Sequence, residues 1–257
     1  MERTELKPDV LIDTPHEYVY QIHQYTDDEI FYFFNNSHRF KSATFIATFP
    51  IEGKYPYVWN PETGKRSAYP IQSNSKALSI KLNPLESLLL VFEDEQPESM
   101  PKLSKSKRQD IATLTGTWKL EGKRLDGEVL NWEMDRLVDF TQSKDKSQSG
   151  FGGKIIYKKT FDAPSGATHI DLGNVNQGVT QLFVNGKDAG TRWYGQAIYP
   201  IEDLLKEGEN TIEIHYSTTL TNYARSLKDN PGAQYRTRHD AMDPIGIEGD
   251  ITLMTYN

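Results

Sequence analysis

An aromatic and polar cluster in the second half of the chain has the chemistry to bind a sugar. It consists of Trp193 and Tyr194, with Arg192 before them and Gln196 after them. A tryptophan or tyrosine ring can stack on the apolar C–H face of a pyranose, while arginine and amide side chains can hydrogen-bond to its hydroxyl groups. Upstream, residues 185–186 are Asn-Gly between two extended runs, which supplies the positive φ angles of a type I′ hairpin turn. The cluster is therefore predicted to follow a β-hairpin.

A second polar group lies further along the chain. Arg236, His239 and Asp240 fall within residues 235–240, which are predicted to belong to a long loop between late strands. Their side chains offer hydrogen-bonding chemistry similar to that beside Trp193. Two interpretations stay open for both groups. They form a sugar-binding surface, since loops at the ends of β-sandwiches often hold binding residues, or their aromatic neighbours only close the open end of the sandwich.

Trp59 is a third aromatic candidate. The residues after it, 60–64, read Asn-Pro-Glu-Thr-Gly, which is a simple turn signature. A structural role is the favoured interpretation for this tryptophan.

The sequence predicts no catalytic residue, no metal ligand and no cofactor. Acidic residues such as Glu133, Asp135, Asp240 and Asp243 could pair for glycoside hydrolysis, but a chain with 36 Asp and Glu residues offers many such pairs by chance. The six histidines show no short metal-binding spacing, cysteine is absent, and no Gly-x-Ser-x-Gly motif occurs. A spaced Asp/Asn loop that would identify a structural calcium ion is also missing.

Composition argues against nucleic-acid binding and membrane insertion. The 257 residues include 29 Lys and Arg against 36 Asp and Glu, for a net charge of −7, and such a surface repels phosphate backbones. The longest apolar run, residues 88–92, is far shorter than the roughly 20 residues that span a bilayer. An aromatic content of 11% is too high for a disordered acidic tail.

Short runs rich in aromatic and β-branched residues, separated by Asn, Pro, Asp and Gly, extend along the whole chain. This pattern predicts an all-β protein built from two antiparallel β-sandwich domains. Only residues 200–206, with proline at their start and Gly208 after their end, are predicted to be helical. Residues 96–109 contain proline and a run of basic side chains but no aromatic residue, so they are predicted to be a linker between domains 1–95 and 110–257.

Several stretches of the chain are similar to known glycan-degrading enzymes. In the first domain they are residues 7–10, 29–36, 59–64 and 82–87, and in the second they are residues 157–161, 171–173, 184–187, 190, 193, 208–210, 244–249 and 251–253. The first region resembles the sandwich that follows the catalytic barrel in glycoside hydrolase family 106 rhamnosidase-like enzymes. The second resembles the galactose-binding-like jelly roll that is also the sugar-binding domain of family 2 glycoside hydrolases.

This resemblance implies a sugar-processing context and a periplasmic or secreted location. It also implies that the catalytic acids belong to a barrel upstream of Met1, so none is carried onto this chain. Related jelly rolls sometimes hold a structural calcium ion. The implied partners are carbohydrate and the upstream catalytic barrel domain.

These observations predict the non-catalytic C-terminal region of a rhamnosidase-like glycoside hydrolase, which braces a catalytic barrel and contacts carbohydrate. A freestanding glycoside hydrolase or carbohydrate-binding protein is one alternative. A purely structural protein-interaction module is another. A contiguous apolar face would indicate a protein partner, and a polar cleft floored by tryptophan or tyrosine would indicate glycan.

Overall fold

The computed structural model describes residues 8–38, 41–71, 77–99, 107–239 and 241–256. Antiparallel strands account for nearly all the regular structure, which confirms the predicted all-β class. The chain divides into two compact units, Met1–Lys105 and Ser106–Asn257. In the part of the chain that is described, no helix has the length and apolar character needed to cross a bilayer.

The first unit contains two antiparallel sheets. One sheet has five strands in the order β2-β3-β8-β5-β6, and the other has three in the order β1-β4-β7. Their bounds are β1 Leu11–Ile12, β2 Val19–Tyr25, β3 Ile30–Asn36, β4 Ala43–Thr48, β5 Tyr55–Trp59, β6 Arg66–Ala68, β7 Ala77–Leu82 and β8 Ser87–Glu93.

The core of the first unit follows from residue alternation. In β3, Tyr32 and Phe34 are buried and alternate with partly exposed residues, and in β4, Phe45 is buried between exposed neighbours. Because successive side chains of a strand point to opposite faces, each sheet presents one apolar face to the core. Phe49 fills the space between the faces, with its ring centroid 4.7 Å from that of Tyr32 in an edge-on arrangement.

The second unit is larger and contains a six-stranded sheet ordered β11-β10-β12-β18-β15-β16, a four-stranded sheet ordered β17-β13-β20-β9, and the pair β14-β19. The bounds are β9 Arg108–Thr113, β10 Trp118–Arg124, β11 Val129–Met134, β12 Gly153–Asp162, β13 His169–Asp171, β14 Asn174–Val175, β15 Gly178–Val184, β16 Lys187–Arg192, β17 Ile198–Pro200, β18 Glu209–Thr218, β19 Ile247–Glu248 and β20 Thr252–Tyr256.

The core of this unit is apolar and aromatic. Ile155 and Tyr157 of β12 and Ile214 of β18 are fully buried, and so are Ile170 of β13 and Leu253 of β20. All five belong to one hydrophobic cluster, to which the six-stranded and the four-stranded sheet both contribute. The second unit is therefore also a β-sandwich.

The helix predicted at residues 200–206 is reduced to a single 3-10 turn. Pro200 ends β17, and only Glu202–Leu204 form a single 3-10 turn before Leu205 returns to an extended conformation. Three short helices occur elsewhere among the described residues, α1 Lys146–Ser149, α2 Thr221–Ser226 and α3 Pro231–Thr237.

Helix α3 replaces part of the long loop predicted around residues 235–240. Its start carries a recognisable signal, since Asn230 caps it by accepting a hydrogen bond from the Ala233 N–H, and Pro231 occupies the first helical position. The sequence therefore carries a local start signal for α3, at a position between strand patterns.

The linker and domain limits stay predictions. Residues 100–106 of the predicted linker lie outside the described residues. Its last two residues belong to β9, which begins at Arg108 and pairs with β20.

Candidate functional site

Several connections of the second unit emerge at one end of its six-stranded sheet. Strands β10, β18 and β16 end there, at Arg124, Thr218 and Arg192, and strands β12 and β15 begin there, at Gly153 and Gly178. We call this end of the six-stranded sheet the loop end. The cluster that follows Arg192 and the segment that holds α2 and α3 therefore leave the sheet on the same side.

The β15–β16 hairpin turn lies at the opposite end of the sheet. Asn185 and Gly186 have φ angles of 52° and 76°, which confirms the positive-φ turn predicted from Asn-Gly. The Asn185 Nδ2 donates to the Leu204 carbonyl at 2.9 Å and to the Asn210 Oδ1 at 2.8 Å. This anchored turn sends β16 back across the sheet and so delivers Trp193 to the loop end.

Trp193 and Tyr194 form an exposed aromatic corner. Trp193 has 62% of its surface exposed and Tyr194 has 37%, and their ring centroids are 4.7 Å apart at an interplanar angle of 67°. Gly195, with φ of 70°, turns the chain immediately afterwards. Most of the indole surface is therefore open to a ligand, while the tyrosine supports it from one side.

Arg192 and Gln196 flank this corner in different ways. The Arg192 guanidinium lies 5.1 Å from the centroid of the buried Tyr199 ring, and its Nη1 donates to the Thr191 carbonyl at 3.0 Å. Gln196 is exposed. Arg192 is thus already oriented by the protein, whereas the Gln196 side chain faces solvent.

The floor of the loop end is polar and hydrogen-bonded. The buried Tyr216 hydroxyl donates to the carbonyls of Gln177 and Asn176, at 2.6 Å and 3.2 Å. Burial raises the pKa of Tyr216 to about 12, so the phenol stays protonated. The Gln177 Nε2 in turn donates to the Asp243 Oδ1 at 3.2 Å. These bonds fix the connection between β14 and β15 against the segment beyond α3.

Two side chains of helix α2 hold the segment that contains α2 and α3 together by hydrogen bonds. The Arg225 side chain is buried and donates from Nε to the Thr237 carbonyl at 3.1 Å and from Nη1 to the Ala241 carbonyl. The Asn222 amide exchanges two hydrogen bonds with the Asp243 backbone, at 2.6 Å and 2.9 Å. Since β18 and β16 are separated only by β15, this segment begins about 10 Å from β16, the strand that ends just before Trp193.

Arg236 and His239 lie on and just after α3, not in a loop, and both are exposed. The Arg236 guanidinium lies 5.8 Å from the centroid of the Tyr235 ring, and His239 accepts a hydrogen bond from the Arg238 Nε at 2.8 Å. These contacts keep both side chains within their own segment. Asp240, the third predicted member, lies outside the described residues.

Sequence reasoning missed an apolar contribution to the loop end. The exposed large apolar side chains of the second unit are concentrated here, and Tyr235 is the most exposed of them at 73%. Those additional to the predicted cluster are Leu125, Val129, Val179, Leu220, Leu227, Tyr235 and Met242. Four of these side chains lie in residues 220–242, a mostly polar segment in which large apolar residues are scattered without strand-like alternation.

The described acidic candidates of the second unit, and Asp139 with them, have structural partners or face solvent; Glu133 and Asp135 lie at the end of β11 opposite to the loop end. Asp139 accepts hydrogen bonds from the Thr141 N–H and hydroxyl and from the Ile245 N–H. Burial acts to raise the pKa of Asp139, but these hydrogen bonds outweigh burial and hold that pKa below its usual value. Asp135 accepts from the Thr117 hydroxyl at 2.6 Å, and Glu133 is exposed. The Asp243 carboxylate is the acceptor for Gln177 described above.

Trp59 has a structural role in the first unit. It ends β5, and its indole Nε1 donates to the Glu93 Oε1 at 2.7 Å. Arg66 binds the same carboxylate and also Glu95, at 2.6 Å. The Asn60 side chain accepts two backbone hydrogen bonds in the turn that follows, as its turn signature predicts.

Metal binding has no candidate centre within the described ranges, where no group of three or more His, Asp or Glu side chains could hold an ion.

Comparison with known proteins points to glycoside hydrolases. No family model matches the chain. The solved structure of a rhamnosidase from Novosphingobium sp. PP1Y matches 96% of this chain with a TM-score of 0.74 and 25% sequence identity. A putative beta-glucuronidase from Formosa agariphila is 25% identical over 115 residues, or 42% of this chain.

Both proteins are much longer than the matching region. This chain spans 25% of the rhamnosidase and 10% of the putative glucuronidase. The chain is thus an all-β, glycoside hydrolase-like protein, similar along almost its whole length to one part of a rhamnosidase.

Proposed function

We propose that this chain is the non-catalytic C-terminal region of a rhamnosidase-like glycoside hydrolase, of the family 106 type, that braces a catalytic barrel and contacts carbohydrate. The observation that carries the proposal is the rhamnosidase match, which takes in 96% of this chain but 25% of that enzyme. A region of this size and fold beside a much larger remainder suits an accessory role. The second unit then corresponds to a galactose-binding-like jelly roll.

The loop end is the proposed carbohydrate surface. Trp193 offers an open indole face for stacking, and Tyr194 extends the apolar platform. Arg192 and Gln196 supply hydrogen-bond donors beside it, and Arg236, His239 and Asp240 belong to the segment that leaves the same end of the sheet. Because these side chains are exposed, we expect weak binding, with a dissociation constant of about 1 mM.

The acidic side chains support an accessory role over a catalytic one. A glycosidase acid needs a raised pKa so that it is protonated near neutral pH. Within the described residues, the carboxyl groups with a shifted pKa are those of Asp139 and Asp145, and hydrogen bonds from nearby residues lower the pKa of each. Each therefore serves as a hydrogen-bond acceptor in a turn.

Titration of the chain with rhamnose- and galactose-containing oligosaccharides, followed by NMR or calorimetry, tests the carbohydrate surface. We expect saturable binding that Trp193→Ala weakens about 10-fold, since stacking on one aromatic ring contributes about 1.5 kcal/mol. Tyr256→Ala, which removes an exposed tyrosine of the four-stranded sheet, is the matched control and should bind like wild type. Identical curves for wild type and Trp193→Ala would remove the tryptophan from the site.

A protein-interaction module is the second candidate. It is favoured by the first unit, where Tyr20 and Ile22 of β2 are 61% and 68% exposed. Phe33 of β3 lies opposite Ile22 on the same face of the sheet, so the exposed apolar surface continues across two strands. Co-purification of the chain with a catalytic glycosidase domain, lost on Ile22→Lys but kept on Trp193→Ala, would support this role.

A further inference from the structure

Strand β2 is an unusual sheet edge. It has seven residues, contains no Lys, Arg, Asp, Glu or Pro, and pairs with β3 without a register shift. Every other edge strand within the described ranges carries a charged residue or has three residues or fewer; these are β1, β6, β7, β9, β11, β14, β16, β17 and β19. Charge, proline and shortness are the usual means by which proteins keep sheet edges from pairing. Among the edge strands that the structure describes, only β2 lacks all of them.

The free side of β2 can be assigned from the hydrogen bonds at its two ends. Ser37 N donates to the Tyr18 carbonyl, and Thr26 N donates to the Glu29 carbonyl. In an antiparallel pair such bonds alternate along the strand, so the even-numbered residues of β2 face β3. The backbone N–H and C=O groups of the odd-numbered residues, 19, 21, 23 and 25, therefore point away from β3. Of these, the Val19 N–H already donates to the His16 carbonyl at 3.1 Å.

These free groups suit a second copy of the same strand. If the two copies are related by a two-fold axis at Ile22, residue 21 of one copy lies opposite residue 23 of the other, and residue 19 lies opposite residue 25. All of these residues are odd-numbered, so their outward backbone groups face each other. All seven residues of β2 then lie opposite a residue of the copy, although the Val19 N–H, which binds the His16 carbonyl, adds no hydrogen bond to the copy. Ile22 faces its own copy in a non-hydrogen-bonded pair, where side chains lie closest, and Tyr20 faces Gln24.

We propose that the chain forms a symmetric dimer by antiparallel pairing of β2 with β2 of a second copy. β2 has no Lys, Arg, Asp or Glu, and His23 would face Gln21 of the copy, so no like charges oppose each other across the axis, even though the whole chain carries −7. Asp9 is a charged residue that contacts β2. Its carboxylate accepts a hydrogen bond from the Tyr25 hydroxyl at 2.8 Å and lies 3.3 Å from the His23 Nε2. Those are odd-numbered residues, on the face opposite to Ile22. This inference is independent of the proposed carbohydrate surface.

Pairing of one strand buries an area near the lower limit for specific association. The dimer is therefore expected to be weak, with a dissociation constant of about 10 to 100 μM. Isologous two-fold contacts are the commonest form of protein self-association.

Sedimentation velocity of the whole chain from about 1 to 500 μM tests the proposal. Wild type should shift from monomer to dimer over this range. Ile22→Lys places two ammonium groups opposite each other and should weaken the dimer at least 10-fold. Gln21→Pro should also abolish it, because it removes an outward N–H that takes no part in pairing with β3.

Ile46→Lys is the matched control, since Ile46 is also an exposed isoleucine but lies on β4, the central strand of the other sheet. This variant should dimerise like wild type, and circular dichroism should show that all three variants fold. A wild type that stays monomeric to the highest concentration would overturn the proposal. So would a dimer that Ile22→Lys and Gln21→Pro leave unchanged.

Discussion

The two units of this chain share one architecture but expose apolar side chains in different places. In the first unit, Tyr20 and Ile22 project from the body of an edge strand. In the second, Trp193 and Tyr235 lie on connections beyond the strand ends. A strand edge recognises another backbone, because its N–H and C=O groups repeat at fixed spacing, whereas loops can present individual side chains to a small ligand. The comparison predicts a protein-binding role for one unit and a ligand-binding role for the other.

The loop end depends on a buried framework that the β2 edge does not need. Arg225, Asn222 and Tyr216 hold the connections of the second unit by hydrogen bonds to backbone carbonyls. The backbone of β2 is held in place by its own hydrogen-bonded pairing with β3. Variants of the framework should therefore alter the loop end and leave β2 unchanged.

Arg225→Ala should have the largest effect. It removes a buried side chain that donates to the Thr237 and Ala241 carbonyls, and unfilled acceptors in a buried position cost about 3 kcal/mol together. We expect a loss of that size in the free energy of unfolding, measured with urea, and faster amide hydrogen exchange in 221–243. Arg236→Ala, at an exposed position of α3, is the control and should unfold like wild type. Fast exchange in β2 of the Arg225 variant would contradict the separation drawn between the two regions.

Asn185→Ala should have the next largest effect. The substitution places a non-glycine, non-asparagine residue at φ of 52° and removes the donor to Leu204 and Asn210. Loss of these two interactions should lower stability by about 2 kcal/mol, measured by thermal or urea unfolding. Asn185→Gly keeps the backbone conformation accessible, so it should recover part of that loss. Equal stability of the alanine and glycine variants would show that backbone strain contributes nothing at this turn.

The strand framework could be predicted from the sequence, and the loop end only in part. Runs of aromatic and β-branched residues predicted β3, β4 and β18, and Asn-Gly at 185–186 predicted the turn that directs Trp193. Those signals are local. Arg225 and Asn222 act on residues 12 to 21 positions away, through contacts that only the folded chain creates. For the same reason, the edge position of β2 follows from sheet order and not from its composition.

Acid unfolding should report on Asp139, which ties the turn at 140–142 to Ile245 beneath the loop end. Its pKa is lower in the folded protein than in the unfolded chain, so its stabilisation is complete above the unfolded value of about 3.9. Stability is then lost as the pH falls below that value through the folded pKa. Asp139→Asn should be about 1 kcal/mol less stable at pH 7 and should lose less stability than wild type between pH 4 and 2. Parallel acid profiles for the two proteins, measured by urea unfolding, would contradict this role.

Tyr235→Ala should have the smallest effect, and it decides how far the sugar-binding surface extends. Tyr235 is more exposed than Trp193, but it belongs to α3 and is paired with Arg236. An aromatic ring at the rim of a site contributes less than one at its centre, because water still reaches the contact. We expect Tyr235→Ala to weaken oligosaccharide binding about 2-fold, against about 10-fold for Trp193→Ala. Equal losses in both variants would mean that α3 and the β16 loop form one continuous platform. No loss in the tyrosine variant would confine the surface to residues 192–196, with Arg236 and His239 outside it.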